Sequence, residues 1–456
     1  MSVLNDLKKL LHSRFPLFLF LIISFTLFPI ISSSHFPIIS EAWAATITTQ
    51  NILLRSTNDI VPYTFFGMHV HFLARNDAAK TPWPTVPFGT LRLWDADVVW
   101  PRLEPNKGEW HFEKLDKNVN FAKAHNVEIL MTLGQSPTWA SARPTESSPY
   151  SPGAAAEPAN IENWKNYVRT VANRFKGRIH YYEIWNEPNW KEFYTGTVEQ
   201  MVTLAREAYT ILKEVDPTIK VVSPSVSTAS GIPWLKQYFI KGGATYVDII
   251  GYHFYVDPSP PEAMLPISNN VRQVMENYGV INKPLWNTEA GWANKSKVFS
   301  SDNEAAAYVA RSYILNWAAG IDRFYWYAWD DHWVTLEMTE TDNKTLRPAA
   351  IAYNEVYKWL VNANVASCGQ DSQSTWVAQV TRNNGYNGFI IWNPYKTINF
   401  EIPKEWNVKQ MRDLTGRTTN MTGASQLTIG MAPILLETVL MSPKIAPPQN
   451  LRINSP

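Results

Sequence analysis

Two glutamates lie at the ends of short apolar segments whose residues favour buried strands. Glu187 follows the segment 178–185 (RIHYYEIW), with Asn186 between them, and Glu289 ends the segment 283–289 (KPLWNTE). A carboxyl group can act as a general acid, a general base or a nucleophile, depending on its pKa. Two carboxyls on either side of one bond can divide these tasks. Hydrolysis of a glycosidic bond needs one that is protonated and one that is charged.

Both segments belong to a repeated alternation of strands and helices. Short runs rich in β-branched and aromatic residues alternate with longer runs of helical period. The predicted strands are 64–72, 90–94, 127–134, 178–185, 220–226, 247–255, 283–289 and 322–329. The predicted helices are 114–125, 161–176, 197–215, 233–241, 268–278, 303–319 and 347–361. Residues 73–89 contain Pro82, Pro84 and Pro87, so we expect an irregular connection there.

Eight such units predict the α/β class and a closed (β/α)8 TIM barrel over residues 60–362, since open doubly wound sheets normally have fewer strands. After residue 362 the pattern changes to short alternating strands separated by Gly, Asn and Pro. This predicts a small C-terminal β-sandwich domain over residues 363–443, to which residues 46–58 can add a strand. Residues 444–456 are expected to form a flexible tail.

The barrel would bring the two glutamates together. Catalytic groups of such barrels lie at the carboxyl ends of the strands, where loops enclose the substrate. Glu187 follows the fourth predicted strand and Glu289 ends the seventh, and these strands lie on opposite sides of the barrel mouth. We therefore predict that the two carboxyls face each other across the barrel mouth. Direct nucleophilic attack by one of them would require a separation of about 5–5.5 Å.

The N-terminal residues 1–44 have the pattern of an export signal. Lys8, Lys9 and Arg14 precede the uncharged run 15–31, and the small-residue pattern Ala42-Trp43-Ala44 follows. The run is at the lower limit of what spans a bilayer, so an uncleaved membrane anchor is the alternative to a cleaved signal peptide. Either reading predicts a protein that is secreted, periplasmic or membrane-anchored outside the cytoplasm.

Composition narrows the range of functions. Apolar residues make up 45% and charged residues 18% of the 456 residues, which is typical of a large globular core. With 41 basic and 40 acidic side chains the net charge is +1, so we expect no nucleic-acid partner. Cys368 is the only cysteine, which excludes an intrachain disulfide and a cysteine-based zinc site. Trp, Tyr and Phe number 20 each, so aromatic faces are available for binding.

The motifs around the two glutamates resemble a known clan. Asn186-Glu187-Pro188 at the fourth strand and Thr288-Glu289 at the seventh are similar to the motifs of the clan A retaining glycosidases. Further matches follow in the clan's order over nearly 300 residues, namely Arg92, the run 100–134, Tyr252-His253-Phe254-Tyr255 and Trp329. With a β-sandwich after the barrel, the chain most resembles glycoside hydrolase family 39. That family implies β-xylosidase, α-iduronidase or exopolysaccharide endoglycosidase activity.

The resemblance implies roles for individual residues. Glu187 corresponds to the general acid/base and Glu289 to the nucleophile. Arg92 and Tyr255 would hold Glu289 ionised, because cationic and hydrogen-bonding neighbours lower the pKa of a carboxyl. Asn186 would donate to the sugar 2-hydroxyl. The expected partner is a polysaccharide or oligosaccharide, cleaved at β-glycosidic bonds without a cofactor or metal.

Three histidines have two readings. His69 and His71 alternate along the first predicted strand, and a metal-dependent amidohydrolase barrel would begin in this way, with Asp330 or Asp331 as a further ligand. The fifth predicted strand has no histidine, so that ligand set is incomplete. We expect His69, His71 and His253 to bind sugar hydroxyls instead. A catalytically inactive carbohydrate-binding barrel is the other alternative.

Aromatic residues near the predicted strand ends are candidates for stacking on sugar rings. The strongest candidate is Trp329, which ends the eighth predicted strand, and Trp139 is another. Further candidates are Trp94, Trp190 and Trp292. The long loop 136–158 lies on the same rim, and its length suggests a substrate of more than one sugar.

Overall fold

The computed structural model describes residues 50–438, except residues 57, 78, 79, 294–297, 333 and 334. The predicted leader 1–44, the tail 444–456 and the beginning of the 46–58 segment lie outside the described residues. In the described ranges, none of the helices combines the length and the apolar character that a membrane span requires. The strand β1 (Gln50–Asn51) opens the described chain.

Nine parallel strand segments form the barrel sheet. They are β2 (Phe66–Met68), β3 (Thr90–Leu93), β4 (Glu128–Leu133), β5 (Tyr181–Ile184), β6 (Lys220–Val222), β7 (Val226–Ser227), β8 (Ile250–His253), β9 (Leu285–Ala290) and β10 (Arg323–Trp326). Their order in the sheet is β6-β5-β4-β3-β2-β10-β9-β8-β7. The two edge segments, β6 and β7, are parts of the single fifth predicted strand, and a parallel bridge joins Val222 to Ile249. The sheet therefore closes on itself, and the TIM barrel prediction is confirmed.

Helices cover the outside of this sheet. They are α1 (Trp100–Leu103), α2 (Glu113–Ala124), α3 (Ile161–Arg174), α4 (Val198–Val215), α5 (Gly231–Ile240), α6 (Met264–Asn277), α7 (Asp302–Ala318) and α8 (Pro348–Leu360). Side-chain caps set several starts, as at α4, where Thr197 and Gln200 form a capping box. The start predicted for α6 was four residues late, and α1 was not predicted. The described part of residues 73–89 has no helix, as its prolines indicate.

The C-terminal part consists of two antiparallel sheets. Its strands are β11 (Asn364–Gln370), β12 (Trp376–Thr381), β13 (Asn387–Trp392), β14 (Ile398–Glu401), β15 (Gln410–Arg412), β16 (Thr418–Asn420), β17 (Gln426–Ile429) and β18 (Ile434–Glu437). The larger sheet has the order β1-β11-β12-β13-β18-β15-β16, and β14 pairs with β17 in the smaller one. Phe389 and Ile391 face the smaller sheet, whereas Ile390 and Trp392 pack into the main core with the barrel. This alternation makes β13 a two-faced strand of the predicted β-sandwich.

Candidate active site

A cleft opens at the carboxyl ends of the barrel strands, with about 870 Å³ of empty space. Glu187 and Glu289 both line it, although each is more than 90% buried. Its walls also include Trp94, Asn186, Trp190, Tyr255, Trp292 and Tyr327. Carboxyls of this kind, in a largely aromatic cleft on a rigid barrel, are placed for chemistry on a bound molecule.

Arg92 connects the strands that carry the two acids. From β3 its guanidinium donates to Glu289 Oε2 at 2.6 Å, to Asn186 Oδ1 at 2.7 Å and to Glu183 Oε2 at 2.7 Å. The side chain is fully buried. Tyr255 adds a hydrogen bond from its hydroxyl to Glu289 Oε1 at 3.0 Å. Arg92 and Tyr255 therefore hold Glu289, as the resemblance implied, and Asn186 is attached to Glu289 through Arg92.

Glu183 is a functional neighbour that sequence reasoning missed. It lies inside the barrel on β5, fully buried, and accepts hydrogen bonds from Arg92, Thr132 at 2.7 Å and Ser225 at 2.5 Å. Burial acts to raise its pKa, but the charge of Arg92 and these hydrogen bonds outweigh burial and lower it. The sequence did contain a usable signal, namely a charged residue inside a predicted parallel strand. Such a residue needs a buried partner of opposite charge.

Glu187 is held in an uncommon backbone conformation. Its φ is +42°, in the left-handed region, and its N–H donates to the carbonyl of Ser225 at 2.9 Å. Such conformations cost free energy for residues with large side chains and recur at functional sites. His253 Nδ1 lies 2.8 Å from Glu187 Oε1, so the two share a hydrogen bond. The same nitrogen is 3.8 Å from Glu289 Oε1.

The two carboxyls approach each other closely. An oxygen of Glu187 and an oxygen of Glu289 lie within 4.8 Å of one another, and a nitrogen of His253 lies within the same distance of both. This agrees with the separation of about 5–5.5 Å that direct attack requires and is well below the roughly 6.5–9.5 Å that leaves room for a water between them. Within the described chain, these three residues are also the one group close enough to hold a metal ion.

The two acids have different electrostatic environments. Burial raises the pKa of Glu187 to about 7, and the charges of Asp95 and Glu183 act in the same direction. Burial also raises the pKa of Glu289, although the charge of Arg92 opposes it. We had expected Arg92 and Tyr255 to bring the pKa of Glu289 below its usual range; burial outweighs them. Since Glu289 accepts two direct hydrogen bonds from these partners, Glu187 is the acid that keeps its proton to higher pH.

His253 is neutral in this environment. Burial lowers its pKa to about 4, with a further contribution from Arg92 that Glu289 opposes. At neutral pH it therefore interacts with Glu187 as a hydrogen-bonding group without charge. Its position beside the acids agrees with the expectation of a site residue, although the groups that it contacts are the acids themselves.

His69 and His71 do not line the cleft. The strand β2 ends at Met68, so strand alternation does not place both rings on one face, and their planes are 86° apart. His69 is fully buried with Nε2 3.1 Å from the carbonyl of Thr288. Asp330 accepts hydrogen bonds from the N–H groups of His71 and Phe72, both at 2.9 Å. Among the described residues, His69, His71 and Asp330 do not form a group close enough to hold a metal ion. The predicted sugar contacts of His69 and His71 stay a prediction.

Two predicted stacking residues are packed elsewhere. Trp329 lies in the main core and is 1% exposed, and it comes three residues after the eighth strand ends at Trp326. Trp139 donates from Nε1 to the carbonyl of Glu104 and packs edge-on against Trp100. In contrast, Trp94, Trp190 and Trp292 do line the cleft.

Three further cleft residues were not predicted. Tyr327 donates to Asp95 at 2.7 Å, and Trp94 donates to the hydroxyl of Tyr150 at 3.1 Å. Asp95 directly follows the second barrel strand and its neighbour Trp94, so its position at a strand end was a usable signal. Tyr150 belongs to the long loop 136–158, whose path no local pattern determines.

A (β/α)8 barrel with paired carboxyls after its fourth and seventh strands is the architecture of the clan A glycoside hydrolases. The sequence model named Glycosyl hydrolases family 39 matches residues 93–319. The β-xylosidase of Caldicellulosiruptor saccharolyticus is 27% identical over 172 residues, which span 36% of this chain and 34% of the xylosidase. Residues 93–319, which include both glutamates, therefore belong to glycoside hydrolase family 39.

Solved structures share the fold at low identity. A family 39 glycoside hydrolase from Bacteroides cellulosilyticus WH2 has a TM-score of 0.68 and 21% identity, with 83% of this chain and 82% of that chain covered. A family 39 β-xylosidase from Caulobacter crescentus has a TM-score of 0.62 and 15% identity, with 84% and 98% covered. These likenesses extend over the barrel and the C-terminal sheets together.

Proposed function

We propose that this chain is a retaining glycosidase that hydrolyses β-glycosidic bonds by double displacement, with Glu289 as nucleophile and Glu187 as general acid/base. The observation that carries the proposal is the pair of buried carboxyls whose oxygens lie within 4.8 Å of each other. Their environments differ in the sense that the two roles require.

In the first step an oxygen of Glu289 attacks the anomeric carbon, and the bond from that carbon to the leaving oxygen breaks. The proton of Glu187 passes to the leaving oxygen, so the departing sugar leaves as an alcohol. Arg92 and Tyr255 keep the attacking carboxylate oriented. Because Arg92 occupies Asn186 Oδ1, the amide nitrogen of Asn186 is the group that can donate to a sugar hydroxyl.

In the second step water attacks the anomeric carbon of the glycosyl-enzyme, and Glu187 accepts the proton of that water. The bond to Glu289 breaks and its carboxylate is restored. Esterified Glu289 carries no charge, so the pKa of Glu187 falls between the two steps and favours the change from acid to base. Two inversions at the anomeric carbon give net retention of the β configuration.

The proposed substrate is an extracellular polysaccharide or its oligosaccharides. The curated relative named above is a β-xylosidase, so aryl β-xylosides are the first substrates to assay, followed by other aryl β-glycosides. The proposed location outside the cytoplasm depends on the uncharged run 15–31 and the basic residues before it. Fractionation of expressing cells tests it.

Glu289→Gln and Glu187→Gln test the two roles separately. An amide at 289 cannot form the glycosyl-enzyme, so activity should fall by several orders of magnitude on every substrate. An amide at 187 cannot donate a proton, but a dinitrophenyl glycoside has a good leaving group and should still glycosylate Glu289. Azide should then restore turnover of this variant and give a β-glycosyl azide, identified by NMR.

Glu214→Gln is the matched control, because Glu214 makes an exposed ion pair with Arg169 away from the cleft. It should keep wild-type activity. Azide rescue of the 289 variant with a β-configured product, together with an inactive 187 variant, would reverse the two assignments. An inverted product from the wild-type enzyme would contradict double displacement.

Two alternatives give different results. An inactive carbohydrate-binding barrel would bind oligosaccharides and release no product from any aryl glycoside. A metal enzyme using Glu187, His253 and Glu289 as ligands would lose activity in a chelator and regain it with zinc. We expect unchanged activity after dialysis against a chelator, because in the proposed mechanism both reacting groups are carboxyls.

A further inference from the structure

A second cavity adjoins the catalytic cleft. It holds about 820 Å³ of empty space beside the segments that follow β3 and β4. Asp95 and Tyr150 line both this cavity and the cleft that contains Glu187 and Glu289. Because Asp95 and Tyr150 line both, the two spaces lie next to each other. The mechanism above uses one of them.

Gln135 gives this second cavity an unsatisfied donor. The residue directly follows Gly134 at the end of the third barrel strand, lines the cavity and is 4% exposed. Its Nε2 amide has no hydrogen-bond partner among the described residues. A buried amide without a partner is costly, and such groups in folded proteins are usually paired with protein, water or ligand. An oxygen atom of a molecule bound in the cavity could accept the missing hydrogen bond from Gln135 Nε2.

The backbone of Gln135 has a positive φ, as the backbone of Glu187 does. The φ of Gln135 is +62°, in the left-handed region that disfavours long side chains. In the described chain the non-glycine residues with positive φ, other than Asn and Asp, are Gln135, Trp185, Glu187, Thr228 and Ser374. The first four follow the third, fourth and fifth barrel strands. The conformation that positions Glu187 is thus repeated where Gln135 enters the second cavity.

The remaining walls provide groups that bind sugar hydroxyls. Asp97 and Arg102 form an ion pair at 3.5 Å on the rim, where both side chains are about half exposed or more, at 49% and 63%. Carboxylate oxygens accept from hydroxyls, and the guanidinium donates to them. Tyr150 adds an aromatic ring at the junction with the cleft. Amide, carboxylate, guanidinium and aromatic groups together suit a pyranose ring.

We propose that this cavity is a second sugar subsite, in which Gln135 Nε2 donates to an oxygen of the sugar next to the bond being cleaved or one unit beyond it. The inference rests on the proposed glycosidase function and makes its substrate an oligosaccharide or polysaccharide chain. A single glycoside fills the catalytic cleft and leaves the subsite to water.

Binding measured in the Glu187→Gln background tests the subsite without turnover. The probes are the mono- to tetrasaccharides of the β-1,4-linked xylose, glucose and mannose series, titrated calorimetrically. Affinity should rise at least tenfold from the monosaccharide to the tetrasaccharide in one series. When Gln135→Gly is added, the affinity for the tetrasaccharide should fall roughly three- to tenfold, which is the effect of one lost hydrogen bond. Glycine adopts the left-handed conformation readily, so this variant should fold.

Asn126→Gly is the matched control. Asn126 also has a positive φ, +55°, but it precedes β4 and so lies at the opposite end of the same strand from Gln135. This variant should bind all probes as the background protein does. Equal affinity for short and long probes, no binding in any series, or no effect of Gln135→Gly would overturn the subsite. Hydrolysis by the wild-type enzyme without length dependence overturns the subsite alone, and length-dependent binding without hydrolysis overturns the glycosidase alone.

Discussion

The two catalytic candidates show how environment assigns different tasks to one residue type. Glu187 and Glu289 are both buried, and burial raises the pKa of both. Glu289 accepts hydrogen bonds from the Arg92 guanidinium and the Tyr255 hydroxyl, whereas Glu187 shares a hydrogen bond with the neutral imidazole of His253. The hydrogen bonds of Glu289 therefore favour its charged form, whereas burial favours the protonated form of Glu187.

The pH dependence of activity should report this difference. The pKa of Glu187 is raised to about 7, so it is protonated below that pH and loses its proton above it. On substrates with poor leaving groups, kcat/KM should fall about tenfold per pH unit above pH 7. Rates measured between pH 5 and 9 test this, with an alkyl and a dinitrophenyl glycoside compared.

The dinitrophenyl glycoside is the internal control, because its leaving group needs no proton. With this substrate, the rate at which Glu289 is glycosylated should not decrease above pH 7. The assignment would be wrong if Glu187→Gln, which has no ionisable group at that position, kept the same fall with both substrates.

At the scale of elements, loops on the rim are tied to one another. Arg143 in the loop 136–158 donates to Glu146 at 2.7 Å, to Glu157 at 2.7 and 2.9 Å and to Thr195 at 2.7 Å. Thr195 belongs to the segment after β5 that also carries Glu187. These contacts fix the loop that brings Tyr150 to the cleft.

Arg143→Ala should loosen this loop without unfolding the barrel. Its side chain is 37% exposed, so the loss of stability should be modest, at about 1 kcal/mol. Amide hydrogen exchange should accelerate in residues 146–155, and kcat/KM should fall roughly threefold to tenfold. Mass spectrometry of exchange with peptide resolution measures the first effect. Arg169→Ala, which removes an exposed pair with Glu214, should change neither; unchanged exchange in Arg143→Ala would contradict this account.

At the scale of the molecule, barrel and sandwich share one core. Trp326 of the barrel and Trp376 and Trp392 of the sandwich belong to the same buried apolar cluster. A buried polar contact crosses the boundary there: Glu262 accepts from Arg311 at 3.1 Å and from Trp392 Nε1 at 2.9 Å. Arg311 is 1% exposed. The two parts should therefore unfold together.

Arg311→Met should destabilise the whole chain. It leaves the charge of Glu262 buried without its partner, which costs about 3–5 kcal/mol in comparable cases. Urea unfolding followed by fluorescence should show a single transition shifted to lower urea. Adding Glu262→Gln removes the buried charge and should recover part of the loss. A double variant that is less stable than Arg311→Met, or two separate transitions in the wild type, would contradict a shared core.

Local pattern was sufficient to predict most of the barrel elements and to place the two glutamates at the mouth of the barrel. The βα alternation gave the eight barrel strands, and the helix limits differ from the structure by only a few residues except at α6. Because parallel strands end at one face, Glu187 and Glu289 could be placed there without knowing any loop. The resemblance then added Arg92, Asn186 and Tyr255, which the structure brings to the same acids.

Only the tertiary structure decided which other side chains reach the cleft. The first strand ends at Met68 and the eighth at Trp326, earlier than predicted, and His69, His71 and Trp329, which follow these ends, are all buried. Glu183 and Gln135 gain their significance from strands and loops distant in sequence. Periodicity along a chain determines which residues are buried. What each buried side chain contacts depends on the path of the neighbouring chain, which a local pattern does not contain.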